Sequence, residues 1–267
     1  MTFRTRALLC YGARFSLDED EAANAKGYIY DGKPVFLTRC TAANGATGRQ
    51  LAFGLAVFIG ASWLFGEIAG YALNGNRPPA LDVRVAHWFY AHGAPGLTQF
   101  MLLVTHLNGA LAISAYTVLL AAFLAWQRIW YWLVALLLVV PGGMLINVIM
   151  KHAFQRPRPH FEHPLLTLTT YSFPSGHVAA ATLWYGLLAA LIVVHVRARH
   201  WRALAITAAF LLIALVASTR LYLGVHYLSD VLAAFAEGVA WLALCLTALS
   251  AWWQRAAGLC SERGGGA

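Results

Sequence analysis

Charged residues are scarce in this chain of 267 residues. Only 11% are Asp, Glu, Lys or Arg, whereas 60% are hydrophobic and the mean hydropathy is +0.62. Soluble globular domains carry about 25% charged residues, so this composition excludes an ordinary soluble fold and indicates a protein of the lipid bilayer. The four cysteines form no C-x-x-C pair, which argues against a thiolate metal site.

Long apolar runs occupy much of the chain. A helix needs about 20 apolar residues to cross a hydrocarbon core of roughly 30 Å. Six windows of about this length occur, at 51–73, 109–127, 129–150, 178–196, 203–219 and 229–253. The aromatic-rich segment 81–109 is typical of short helices at the outer membrane interface. The sequence therefore predicts an all-α, polytopic membrane protein with six transmembrane helices and short interfacial helices.

Positive charge is distributed unevenly among the predicted loops. If the N-terminus is cytoplasmic, 13 of the 19 Lys and Arg residues face the cytoplasm, including Arg128 and the cluster at 197–202. We therefore expect a multi-pass protein of the cell (inner) membrane with both termini in the cytoplasm. Because topology accounts for most of the net charge of +8, we expect no nucleic-acid partner.

The predicted membrane domain is flanked by two tails. We expect a cytosolic or interfacial N-terminal tail at 1–50, a six-helix membrane domain at 51–255 and a cytosolic C-terminal tail at 256–267. Within the first tail, residues 28–37 have the pattern of a small hairpin around Asp31-Gly32.

Charged and titratable residues recur at the ends of four predicted helices. The third helix leaves the membrane, the fourth enters it, the fifth leaves and the sixth enters, all at one surface. We expect the following residues to meet there, in a site that faces the periplasm: Lys151, Arg158, Ser175, Gly176, His177, Arg220, His226 and Asp230.

The cationic members of this set suit a phosphate group. An alkyl phosphate carries about two negative charges near pH 7. Lys151 offers a point charge, and Arg158 and Arg220 offer planar forks that match pairs of phosphate oxygens. The turn at Ser175-Gly176 offers backbone N–H groups at a helix N-terminus, where the helix dipole also favours an anion.

The two histidines suit phosphate-ester cleavage. His226 and Asp230 are four residues apart, which places the imidazole and the carboxylate on one helical face. A histidine fixed by a carboxylate is a fit nucleophile for in-line attack and a transient phosphohistidine. His177 is then the acid for the leaving group. Since three cations stand where magnesium often does, we expect no metal and no cofactor.

These stretches together resemble the type 2 phosphatidic acid phosphatase superfamily, which shares its site with vanadium-dependent haloperoxidases. The pattern K-x6-R-P, P-S-G-H and S-R-x5-H-x3-D is met by Lys151, Arg158-Pro159, Pro174 to His177, Arg220, His226 and Asp230. One departure is Thr219, which keeps a hydroxyl where the pattern has Ser. The resemblance implies a phosphoric ester or anhydride hydrolase, a lipid phosphatase, whose partners are the bilayer and a phospholipid or polyprenyl (di)phosphate substrate.

Other interpretations of the function stay open at this point. The same phosphohistidine could transfer phosphate from a polyprenyl diphosphate to another lipid. A haloperoxidase would use the same residues, although those relatives are soluble. A transporter would place its charges near mid-membrane rather than at helix ends. A metal site involving His160 and His163 is a further alternative.

Three residues near the predicted site have two interpretations each. Lys151 could be an interfacial anchor rather than a ligand. Arg156 could contact the substrate headgroup or the lipid surface. Glu237, seven residues after Asp230, could line a cavity or bond to a neighbouring helix, and we favour the bond.

Overall fold

The computed structural model describes residues 29–30, 33–34, 44–75, 77–162, 164–166 and 168–264. The predicted hairpin is represented by β1 (Ile29–Tyr30) and β2 (Lys33–Pro34), which pair antiparallel. Its turn at Asp31-Gly32 and most of the N-terminal tail lie outside the described residues, as do residues 265–267 at the end of the C-terminal tail. The domain boundaries stay a prediction.

Eight helices make up most of the described chain, and the predicted all-α class is confirmed. They are α1 (Asn44–Leu73), α2 (Ala80–Ala91), α3 (Pro95–Leu107), α4 (Ala110–Trp126), α5 (Trp130–Phe154), α6 (Gly176–His195), α7 (Arg199–Tyr222) and α8 (Leu228–Gly264). The first and last helices are longer than the apolar windows at 51–73 and 229–253. Their additional residues, 44–50 and 254–264, are more polar but contain no proline that would break a helix.

Five helices in the described part of the chain are long and apolar enough to cross a membrane, namely α1, α5, α6, α7 and α8. The window predicted at 109–127 forms α4, which qualifies only together with α3. These two helices meet at a bend of 43° and form a sixth span if they are counted as one. The chain is a multi-pass membrane protein, and α2 and α3 occupy the segment predicted to lie at the interface.

Two compact units share these helices. One comprises residues 1–54 and 246–267, and in it Gly54 leaves room for the side chain of Thr247. The other comprises residues 55–245 and contains all of the predicted site residues.

Small residues let α5, α6 and α8 approach each other closely within the second unit. A Cβ at Gly143 of α5 would lie 2.5 Å from Cδ1 of Leu183 on α6 and 2.8 Å from Cδ1 of Trp241 on α8. A Cβ at Gly238 of α8 would lie 2.7 Å from Cγ2 of Thr182 on α6. Such contacts replace the hydrophobic effect as the packing force between helices in lipid.

Two connections position the site at one end of this bundle. Residues 155–175 join α5 to α6, and a short turn joins α7 to α8. Gly224 in that turn has a φ of +68°, a left-handed conformation that favours glycine. A Cβ there would also lie 2.9 Å from Cε2 of Phe161, which stacks on Tyr90 of α2. The turn, the loop and α2 are thereby packed together.

Candidate active site

The four helix ends predicted to meet are brought together in the structure. The N–H of Ser175, which precedes α6, donates to the carbonyl of Asp230 on α8 at 3.1 Å. A Cβ at Gly176 would lie 3.7 Å from Cε of Lys151 at the end of α5. Arg220 at the end of α7 is within electrostatic range of His177 and His226. The meeting of these four helix ends could therefore be predicted from the alternating direction of successive helices.

His226 lies at the centre of the site, where its two ring nitrogens have different partners. Arg158 Nη1 is 3.2 Å from His226 Nε2. Because a guanidinium can only donate, Nε2 must carry the free lone pair, and the ring proton is on Nδ1. Nδ1 is 3.4 Å from Oδ2 of Asp230, a long contact, and equally far from the hydroxyl of Ser172. The tautomer is the one in which Nε2 is available as a nucleophile.

Asp230 is fully buried and accepts hydrogen bonds on both carboxylate oxygens. Oδ2 accepts from the Ser172 hydroxyl, and from the N–H of Tyr227 at 2.8 Å. Oδ1 accepts from Nη1 of Arg156 at 2.5 Å. These donors fix the carboxylate and hold it ionised beside the imidazole.

Lys151 and Arg158 are held by the carbonyls of the loop that joins α5 to α6. The Lys151 ammonium donates to the carbonyls of Tyr171 and Ser172, and to that of Pro174 at 2.5 Å. The Arg158 guanidinium donates from Nε to the carbonyl of Thr170, and from Nη1 to that of Val225, both at 2.7 Å. These contacts place the Lys151 ammonium beside the loop and favour a role in the site over that of an interfacial anchor.

Arg220 has the most unusual surroundings in the site. Its side chain is 0% exposed, and Nη1 donates to the hydroxyl of Thr105 at 2.6 Å. Nε and Nη2 have no hydrogen-bond partner among the described residues, and neither has the hydroxyl of Ser175. A buried guanidinium with unmatched donors is costly, and an anion that accepts from them removes the cost.

His177 lies in the first turn of α6 and is half-buried. The charges of Arg220, Arg158 and Lys151 act on it, as does His226, so it belongs to the same cluster. A Cβ at Gly109 would lie 4.0 Å from its Nε2, which shows that the start of α4 also borders the site. Thus all eight predicted site residues lie in or beside one cluster.

The protonation of the residues in the α5–α6 loop and the α7–α8 turn follows from burial and from neighbouring charges. Burial and the cations Arg220 and Arg158 lower the pKa of His226 to about 3, although Asp230 opposes this shift. Burial also lowers the pKa of Arg158. His226 is therefore neutral in the physiological pH range, as a nucleophile must be.

Arg156 lies in the protein interior. It is 4% exposed, which argues against contact with the lipid surface, while contact with a substrate headgroup stays a prediction. Its Nη2 donates to Oδ2 of Asp82 at 2.8 Å, and its Nη1 reaches Asp230. Although burial disfavours the charge, Asp230 and Asp82 raise the pKa of Arg156.

Several residues that contact the predicted set were not found from the sequence. Asp82, Thr105 and Ser172 carry no motif, and each is distant in sequence from its partner. Asp82 was the easiest to find, because it is the one acidic residue in the aromatic segment at 81–109.

Two further predictions concern residues near the site. Asn147 Nδ2 of α5 donates to Oε2 of Glu237 at 2.9 Å, so the bond between Glu237 and a neighbouring helix is confirmed. Within the part of the chain that the structure describes, no cluster of three or more His, Cys, Asp or Glu residues suits a metal ion, and His163 lies outside that part.

Comparison with known proteins agrees with this geometry. A family model described as the PAP2 superfamily matches residues 130–254. The chain is 30% identical over 179 residues to phosphatidylglycerophosphatase B of Bacillus subtilis (strain 168). The aligned region covers 66% of this chain and 87% of that protein. The chain belongs to the PAP2 superfamily. The probable lipid phosphate phosphatase beta of Arabidopsis thaliana is 31% identical over 104 residues, 38% of this chain and 48% of that protein.

Two solved structures have a similar fold. The crystal structure of the transmembrane PAP2 type phosphatidylglycerolphosphate phosphatase from Bacillus subtilis matches with a TM-score of 0.61 and 28% identity, over 72% of this chain and 94% of that one. Aquifex aeolicus LpxE matches in fold with a TM-score of 0.51 and 24% identity, over 63% of this chain and 96% of that one. The protein is a membrane phosphatase of the PAP2 superfamily, a class of hydrolases that act on phosphate esters.

Proposed function

We propose that this protein is a metal-independent phosphatase that dephosphorylates a lipid phosphate or diphosphate at the periplasmic face of the inner membrane through a phosphohistidine. His226, His177 and Asp230 are the catalytic residues. Lys151, Arg158, Ser175, Gly176 and Arg220 bind the phosphate.

The observation that carries this proposal is the buried guanidinium of Arg220. Its unmatched donors, Nε and Nη2, lie in the same cluster as the nucleophilic nitrogen of His226 and the unpaired hydroxyl of Ser175. A phosphoryl group held there accepts from these donors while its phosphorus faces His226 Nε2. The charge of the transition state is then stabilised by fixed cations, which cost no reorganisation during the reaction.

The reaction proceeds in two balanced steps. His226 Nε2 attacks phosphorus, the bond from phosphorus to the leaving oxygen breaks, and His177 donates its proton to that oxygen. Nδ1 of His226 keeps its proton, so the phosphorylated ring carries a positive charge beside Asp230. Water then attacks phosphorus, the P–N bond breaks, and His177 takes a proton from the water.

The proposed orientation rests on the positions of the basic loops. Arg128 and Arg199 lie near the α4–α5 and α6–α7 connections, at the ends of the helices opposite to Lys151. Basic loops stay preferentially in the cytoplasm, so the site at the other ends faces the periplasm and both termini are cytoplasmic. The substrate chain stays in the bilayer while its phosphate enters the site.

The substrate class is tested by phosphate release from purified protein in detergent. Phosphatidate, phosphatidylglycerol phosphate, undecaprenyl diphosphate and lipid A are the panel. We expect release from at least one lipid, and loss of release in His226→Ala and His177→Ala, with Arg84→Gln as the control because Arg84 is exposed. Undiminished turnover in either histidine variant contradicts the assigned roles.

The same assay separates hydrolysis from transfer. With a labelled polyprenyl diphosphate and an acceptor lipid present, hydrolysis sends the label to inorganic phosphate. Label recovered in the acceptor lipid identifies the protein as a phosphotransferase that uses the same histidine.

A further inference from the structure

We propose that Asp82 is a positioning residue for the reaction, which acts through Arg156 on the Asp230–His226 pair. This inference rests on the proposed function, since it concerns the nucleophile of that reaction. Neither Asp82 nor Arg156 belongs to the residue pattern that indicated the site.

The three charges form a continuous buried row. Asp82 on α2 is 1% exposed, and its Oδ2 accepts from Arg156 Nη2 at 2.8 Å. Arg156 Nη1 donates to Asp230 Oδ1 at 2.5 Å, and to the Ser229 hydroxyl at 2.8 Å. Ser229 in turn donates its N–H to Asp82 Oδ1 at 2.9 Å, and its hydroxyl to Oδ2. The guanidinium also lies 4.5 Å from the centroid of the Tyr227 ring.

This row determines which oxygen of Asp230 faces the imidazole. Arg156 occupies Oδ1, and Oδ2 is left for Nδ1 of His226, the hydroxyl of Ser172 and the N–H of Tyr227. Rotation of the carboxylate would break a charge-assisted bond to Arg156. Because Asp82 holds the other arm of the guanidinium, it fixes the angle from which Arg156 approaches Asp230.

The row also matches the charge that the reaction creates. Asp82, Arg156 and Asp230 together carry one net negative charge. His226 gains one positive charge when Nε2 bonds to phosphorus while Nδ1 stays protonated. Without Asp82, the positive charge of Arg156 would cancel the negative charge of Asp230. The positive charge of phosphorylated His226 would then have no counterion in the row. A carboxylate that served only to hold α2 against the start of α8 would not need to be connected through Arg156 to the partner of the nucleophile.

The test is the Asp82→Asn variant, which keeps the shape of the side chain and an oxygen acceptor for Ser229. We expect kcat to fall by about tenfold or more with an unchanged KM, as for other groups that orient a reacting residue. Inhibition by orthovanadate, which mimics the five-coordinate transition state, should weaken by the same factor, and inhibition by inorganic phosphate should stay the same.

One control variant and one further variant of the row complete the test. Arg84→Gln on the same helix is exposed and serves as the matched control. Arg156→Lys keeps the charge but cannot reach both carboxylates in a fork, so we expect a similar fall in kcat. Melting of each variant in detergent shows which of them are folded.

The outcomes separate the inference from the proposed function. A folded Asp82→Asn variant with wild-type kcat and vanadate affinity overturns the inference while leaving the phosphatase intact. A parallel loss of vanadate and phosphate binding also overturns it, because that result indicates a collapsed site. If Asp82→Asn does not fold, wild-type kcat in a folded Arg156→Lys variant overturns it as well. A wild-type protein that releases no phosphate from any lipid contradicts the proposed function itself.

Discussion

Arg158 donates from Nη1 to Nε2 of His226 across 3.2 Å. The proposed phosphate ligand Arg158 is thus also a partner of the nitrogen proposed as the nucleophile. The contact keeps a proton off Nε2, since two donors cannot face each other. In the proposed reaction, Arg158 therefore both binds the phosphate and fixes the tautomer of His226.

The first prediction concerns the pH dependence of His226. Its pKa is lowered to about 3, so the neutral, nucleophilic form should persist until the pH falls to about that value. Arg158→Gln removes a nearby cation and should raise this pKa, so that the neutral form is lost at a higher pH. Titration of ¹⁵N-labelled histidine in detergent measures both values, with His226→Asn identifying the signal. A wild-type pKa near 6.5 that does not respond to Arg158→Gln would contradict this account.

The second prediction separates activity from stability at Arg220. Arg220→Gln should lower kcat/KM by about a hundredfold or more, because it removes a donor of the transition-state cradle. The melting temperature should not fall, since the variant also removes a buried guanidinium with unmatched donors. Phosphate release and thermal melting in detergent check the two effects. A large drop in melting temperature together with normal activity would contradict both expectations and would indicate a structural role for Arg220.

A third prediction is that metal chelation leaves the reaction unchanged. In the proposed reaction, Lys151, Arg158 and Arg220 supply the positive charge that magnesium supplies in many phosphoryl-transfer enzymes. Phosphate release after dialysis against EDTA should equal that of untreated protein, and added Mg²⁺ should not raise it. Strong inhibition by EDTA that Mg²⁺ or Zn²⁺ reverses would indicate a metal enzyme.

The fourth prediction tests the packing that supports the site. Gly143→Ala should destabilise the fold by about 1–3 kcal/mol, because its Cβ would collide with Leu183 and Trp241. Gly66→Ala on α1 is the matched control, since a Cβ there meets nothing within 4 Å. Alanine favours a helix, so the control should melt at the same temperature or higher. Equal melting temperatures for the two variants would mean that α5, α6 and α8 are not in such close contact.

The parts of the site that lie on helix ends could be predicted from the sequence. The apolar windows gave the direction of each span. The spacing of four residues predicted that His226 and Asp230 are neighbours, although His226 lies in the turn before α8 and not on a helical face. The bilayer makes the first step possible, because it restricts the chain to helices that cross from one side to the other.

The Asp82–Arg156 pair could not be predicted in this way. Its members are 74 positions apart, one on the helix assigned to the interface and one in a loop, directly before Pro157. No periodicity relates two such segments, and their contact depends on how α2 packs against the start of α8. The enclosure of the Arg156 charge by two carboxylates therefore could not be predicted from the sequence.

The bond between Asn147 and Glu237 has a consequence for biosynthesis. The two residues are 90 positions apart, so the amide of α5 enters the membrane before its carboxylate partner has been translated. Until α8 arrives, a polar group must be sheltered from lipid tails by water, by the insertion machinery or by another part of the nascent chain. A polypeptide truncated ahead of α8 would keep that exposed amide and should be a preferred target for membrane quality control.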